Sequence, residues 1–273
     1  MSVGKLIRNG NSFANVVATG WATATITPGR TVEGIMLELG GTSFTKAMIT
    51  TVRLKADGKV YYEASGTQID KRNAYLGHTA DAAFLPILFT EHFGRERQDQ
   101  MVGAFDTSKG IKGLTVEVQI TGATAPTLTL QTIESASQWD AGKEYAGLMH
   151  KTLRYPWSRS VGGDQLVDLP FGTQNGALIK RIFVEHTGNV TGITMKQNAM
   201  PIYEGTKVEL EYMQKLHGKV PQTNFLAVDY AQDGNLANIL NARDPQPLEL
   251  RLSMSAADSG YVVVEYLDVL GNL

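Results

Sequence analysis

The chain has 273 residues, 42% hydrophobic and 19% charged, enough to bury two separate cores and too apolar for a disordered polymer. Lys and Arg number 25 against 27 Asp and Glu, a formal net charge of −2, so the basic excess of a protein built to hold nucleic acid is missing. Cysteine is absent, which excludes disulfides and thiolate metal sites.

The N-terminal stretch MSVGKLIRNGNSFAN carries Lys5 and Arg8 but neither a signal-length apolar run nor a core pattern. It is expected to be an arm over residues 1–14. Extended segments are predicted next at 21–27, 32–39 and 48–55. TVRLK (51–55) alternates apolar and polar residues, Asp57-Gly58 supplies a tight turn, and VYYE (60–63) resumes the strand. The period then changes to helical. Ser65 and Gln68 form a capping-box pair, and Gly77 sits where a helix takes a left-handed residue, which predicts a short helix over 66–76. Further strands are expected at 84–89, 100–105, 113–121 and 127–134. The longest apolar run, AAFLPILF at 82–89, is far short of the ~20 residues that span a bilayer.

Residues 138–163 match nothing else in the chain and are read as a linker, with the first strand of the second barrel as an alternative occupant of the same stretch, punctuated by Pro156 and Gly162-Gly163. Beyond them the plan recurs. PIYEGTKVELEYMQKLHG (201–218) restates VYYEASGTQIDKRNAYLG (60–77) at an offset of 141 residues: Thr206 and Glu209 replace Ser65 and Gln68, and Gly218 replaces Gly77. Further on, LELRLSM (248–254) restates LTVEVQI (114–120) at an offset of 134. Strands are predicted at 164–170, 178–186, 192–196, 200–204, 224–230, 236–240, 247–254 and 261–268, with a helix over 207–217. The fold class expected is all-β, two tandem eight-stranded jelly-roll barrels at 15–137 and 164–273, each with a short helix between its fourth and fifth strands.

Little in the chain carries chemistry. His78, His92, His150, His186 and His217 are scattered, and are read as surface residues rather than metal ligands. No nucleophile elbow or phosphate-binding glycine motif occurs, so no catalytic residue and no cofactor is assigned. Asp229 and Asp233 in DYAQDGN superficially suit a hard cation, but they lack calcium-loop spacing, and Glu209/Glu211 is the other carboxylate pair. Aromatic and arginine residues in unmatched segments, namely Phe93, Arg95, Arg97, Tyr155, Trp157 and Arg159, are the candidates for a subunit interface. Trp157 has the alternative of filling the gap between the barrels.

The duplicated plan, with the closing segment FLAVDYAQDGNLANILNARDPQPLELRLSMSAADSGYVVVEYLDVL, resembles the double jelly-roll major capsid proteins of tailless, membrane-containing icosahedral viruses. The corticovirus type of bacteriophage coat protein is the nearest in pattern. The resemblance implies a structural virion protein, not an enzyme. It would be made and assembled in the host cytoplasm as a homotrimer of pseudo-hexagonal outline. Its partners would be neighbouring capsomers, a vertex or penton protein and an internal lipid membrane, with no direct contact to nucleic acid. Calcium at subunit contacts is known in the family and matched to no residue here. A two-barrel cupin-like enzyme, a sugar-binding lectin-like protein and a minor virion or spike component are the alternatives.

Overall fold

The structure, a computed structural model, describes residues 5–91, 94, 97–138, 147–170, 178–242 and 247–272. It divides into two compact units: residues 1–73, 78–152 and 269–273 form the first, and residues 74–77 with 153–268 the second.

The first unit holds β1 (Leu6–Asn9), β2 (Gly20–Ile26), β3 (Thr31–Ser43), β4 (Ile49–Ala56), β5 (Lys59–Ala64), helix α1 (Gly66–Tyr75), β6 (Phe84–Leu88), a short α2 (Arg97–Met101), β7 (Phe105–Asp106), β8 (Leu114–Ile120) and β9 (Thr124–Ser135). One sheet runs β1-β9-β3-β6, with β7 pairing to β3, and the other contains β2-β8-β4-β5. Setting β7 aside, the first, eighth, third and sixth strands share one sheet and the second, seventh, fourth and fifth share the other. That is jelly-roll connectivity. Strict alternation buries Leu114, Val116, Val118 and Ile120 of β8, and the core between the sheets adds Ile35, Leu37, Val52, Leu54, Leu85 and Ile87.

The second unit repeats this order with β10 (Leu148–Arg159, shared at Thr152/Leu153 between the units), β11 (Gly163–Val167), β12 (Leu178–Glu185), β13 (Val190–Gln197), β14 (Met200–Thr206), α3 (Lys207–Leu216), β15 (Phe225–Asp229), β16 (Leu240–Asn241), β17 (Leu248–Met254) and β18 (Asp258–Val269). Its sheets are β10-β18-β12-β15 and β11-β17-β13-β14, the same permutation. Ile182, Val184, Leu226, Val228, Leu250, Leu252, Val262 and Val264 fill its core.

The repeat extends to irregularities. A ladder shift at Leu54/Lys55 recurs at Met195/Lys196, and one at Ile49/Thr51 recurs at Val190/Gly192, each 141 positions on. A third, at Val32/Gly34, recurs at Ile179/Arg181. Bulges redirect side chains locally, so three matched bulges mark one architecture built twice.

Both helices are closed alike. Gln68 N–H donates to Ser65 Oγ while Ser65 N–H donates to Gln68 Oε1, and Thr206 and Glu209 make the same reciprocal pair. At the other end Gly77 and Gly218 have φ of 81° and 72°. His78 N–H reaches Asn73 O and Lys219 N–H reaches Gln214 O, both at 3.0 Å, which completes a Schellman motif in each copy.

Three expectations differ from the structure. Each helix follows the fifth strand, not the fourth. Segments 100–105 and 236–240, read as strands, are mostly a helical turn before the short β7 and β16. The first strand of the first barrel, β1, lies in the segment read as an arm, whereas β10 falls in the linker stretch, where a first strand of the second barrel is one of the two readings. β1 shows no alternation because one of its four residues is half-buried and the rest exposed; Leu6–Asn9 pairs antiparallel with Gln131–Glu134. Its cations explain its attachment. Lys5 Nζ lies 2.9 Å from the buried Glu33, and Arg8 Nη1 lies 3.2 Å from the buried Glu134. No helix among the described residues is long and apolar enough to cross a membrane.

Candidate functional site

The residues expected at an interface fall in two places. Phe93 and Arg95 lie outside the described residues, and Arg97 opens α2. Tyr155, Trp157 and Arg159 alternate along β10. Trp157 is buried in the core of the second unit, and its Nε1–H donates to Glu185 O at 3.2 Å. It is a packing residue of that jelly roll. Tyr155 is half-buried beside the same core, and burial pushes its phenol pKa up. It borders an open groove of about 500 Å³ whose walls include Pro156, Leu166, Leu169 and Leu248. Arg159 folds back, with Nε donating to Leu166 O at 2.9 Å and Nη1 to Ser158 O at 2.8 Å.

The described histidines do not converge. His150 and His186 are buried rather than on the surface, with His150 Nε2 2.7 Å from Thr152 Oγ1; His217 forms the C-cap of α3. His92 lies outside the described residues. Among the described residues, no three His, Asp or Glu side chains converge in a way that would hold a metal ion. The carboxylates of DYAQDGN are already engaged. Asp233 accepts from Asn235 N and Asn238 Nδ2, while Asp229 accepts from Ala231 N and Tyr75 Oη. Glu209 is taken up by the helix cap, and Glu211 lies 3.9 Å from Lys207. Neither pair is joined by a third carboxylate or histidine among the described residues.

Asp229 belongs to a buried charge network that the sequence reading missed. Arg181 Nε lies 3.0 Å from Asp229 Oδ2, Arg181 Nη1 lies 3.0 Å from Glu265 Oε2, and Lys180 Nζ approaches the same Glu265 oxygen at 3.9 Å. All four side chains are almost fully buried. Tyr75, in the part of α1 that belongs to the second unit, donates to Asp229 Oδ2 at 3.1 Å. Burial first, then the Asp229 charge, raises its phenol pKa far above the usual value, so it stays a donor. Tyr203 lines a cleft of about 230 Å³ beside Asp229, and burial followed by the same charge leaves its pKa pushed up to about 12. Strand LIKRIFVE contained the only signal, two adjacent cations inside an apolar run.

The wide surface on α3 is of another kind. Val208, Tyr212 and Leu216 recur every fourth residue and are 77%, 61% and 61% exposed, an apolar stripe with no polar chemistry.

Two jelly rolls of one connectivity, each with a capped helix after its fifth strand, define a double jelly-roll coat protein. Residues 7–137 match the family model of the viral coat protein P2 N-terminal domain, and residues 149–270 match that of its C-terminal domain. The chain belongs to the viral coat protein P2 family. The fold is shared with the major capsid protein P2 of bacteriophage PM2, at 19% identity and a TM-score of 0.85 over 97% of both chains. It is shared too with the STIV major capsid protein, at 12% identity and 0.74 over 97% of both. The PBCV-1 capsid protein is more distant, at 11% identity and 0.58 over 98% of this chain and 92% of that one. A search of curated protein sequences found no match. As a capsid protein the chain is a virion component that assembles with copies of itself.

Proposed function

We propose that the chain is the major coat subunit of an icosahedral virion and assembles as a homotrimer of pseudo-hexagonal outline. The carrying observation is the duplication. Two units of equal strand order, with matched bulges and matched helix caps, give three copies six similar outward faces. Such a capsomer suits sixfold-coordinated positions in a closed shell. Its role is structural, without catalysis, and it is made and assembled in the host cytoplasm. A near-neutral net charge suits a shell separated from the genome by an internal lipid membrane, with a different protein at the vertices. The segment holding Phe93, Arg95 and Arg97 is proposed to contribute to contacts between copies, together with the rim of the groove beside Tyr155 and Arg159; Trp157, packed within the second unit, would act there only indirectly.

Sedimentation of the purified chain at micromolar concentration, with and without calcium, tests this reading. A stable trimer is expected, with hexagonal particles in negative stain. A monomer under both conditions overturns it.

A further inference from the structure

The ends of α1 and α3 hold matching positions, 141 residues apart, and the second unit shows what such an end does when it is covered. Tyr75 and Leu76 are buried there with Phe183, Phe225, Ala227 and Val263. The Tyr75 ring stands edge-on to Phe183 with centroids 5.4 Å apart. These strand residues alternate with the core residues Ile182, Val184, Leu226, Val228, Val262 and Val264, so Tyr75 sits on the outer face of the sheet.

Leu216 stands where Tyr75 stands in the first copy, and it is open. So is the stripe that it ends, Val208 and Tyr212, with Met213 and Val220 about half exposed beside it. The corresponding sheet face of the first unit is also partly open. Phe183 is opposite Ala227 in the second unit, and Met36 is opposite Pro86 in the first, where Pro86 lies 141 positions before Ala227. Met36, Phe84 and Pro86 are each only half-buried, whereas Phe183, Phe225 and Ala227 are fully covered. The first repeat therefore has a buried helix end and a partly open sheet face, and the second has a covered sheet face and an open helix end.

The chemistry of the two pairs agrees. The Tyr75 hydroxyl meets Asp229, which is held by Arg181. At the corresponding places the first unit has Leu88 for Asp229 and Gly34 for Arg181, which are opposite each other in the ladder as Asp229 and Arg181 are. The third bulge confirms that Gly34 matches Arg181. Leu216, lacking a hydroxyl, replaces Tyr75. The polar ligand and its polar receptor are lost together, which leaves a matched apolar pair.

We propose that the exposed end of α3, centred on Leu216, docks onto the outer face of β3 and β6 around Met36 and Phe84 of a second copy of this chain. The inference rests on the coat-subunit reading and names the contact that closes the ring. Donor and receptor surfaces differ, so the contact is head-to-tail, and a closed ring satisfies every copy.

Leu216→Glu and Met36→Lys test it in the full chain. Both residues are on exposed or half-open surface, so the circular dichroism spectrum should be unchanged. Each single variant should weaken association at least roughly tenfold by sedimentation, and the double variant, with opposite charges facing each other, should regain assembly. If the wild-type chain is assembled and either single variant assembles as well as it does, this docking is overturned while the coat-subunit reading stands. A monomeric wild-type chain would overturn that reading itself.

Discussion

Asp258 illustrates how much one side chain can organise. Its carboxylate accepts from Thr187 N at 2.8 Å, Thr187 Oγ1 at 2.7 Å, Asn189 N at 2.7 Å and Ser259 N at 2.7 Å, tying the turn after β12 to the start of β18. Burial pushes its pKa up, but the hydrogen bonds, led by those from Thr187, outweigh it and leave the group below the usual aspartate range. A carboxyl depressed in the folded state stabilises above its unfolded pKa of about 3.9, and that contribution is lost as pH falls through the folded value. Thermal melts should therefore be flat with respect to this group near neutrality and fall below about pH 4. Asp258→Asn should destabilise by about 2 kcal/mol near neutrality, since an amide cannot accept on both sides, and should flatten the acid limb. An unchanged acid limb in the variant would place the sensitivity elsewhere.

At the scale of elements, the two hairpins between the fourth and fifth strands make an internal comparison. Asp57-Gly58 turns the first with φ of 48° and 84°, the geometry that asparagine, aspartate and glycine tolerate. Asn198-Ala199 turns the second with φ of 52° and 63°. Alanine there has its Cβ against the carbonyl, at a cost of roughly 1–2 kcal/mol. Glycine would relieve that but lose more chain entropy on folding, by about 0.4–1 kcal/mol. The expected outcome for Ala199→Gly is a net gain of about 0.5 kcal/mol, read as a small rise in denaturation midpoint with unchanged slope. A loss of stability would mean that this turn is held by something other than its own backbone preference. The first hairpin, its Asp57-Gly58 turn and the helix that follows were legible in the sequence, because each depends on residues close along the chain, whereas the Asn198-Ala199 turn carries no such turn signature.

For the whole molecule, the contact proposed between copies is apolar on both sides, Leu216 and its stripe against Met36, Phe84 and Pro86. Screening at about 1 M salt shortens the reach of exposed charges to about 3 Å, yet leaves apolar burial intact. Assembly should then persist or tighten in about 1 M NaCl. Dissociation by salt, measured by sedimentation, would instead assign the contact to charged pairs on other surfaces.

The sequence alone determined the duplication, the strand phases, the two capped helices and the β class, and through them the family resemblance. These are local signals, carried by alternation, turn chemistry and residues three or four apart. Only the tertiary structure decided where each jelly roll begins. β1 and β10 carry little alternation, Lys5 and Arg8 find their carboxylates on β3 and β9, and Pro156 is tolerated at the end of a sheet. The same holds for Lys180 and Arg181, whose burial requires Asp229 and Glu265 from distant strands. A charge in a strand looks exposed until its partner is in place. Which helix end is covered is likewise set by packing: Tyr75 and Leu216 occupy the same position in the repeat, and only folding buries one and leaves the other open.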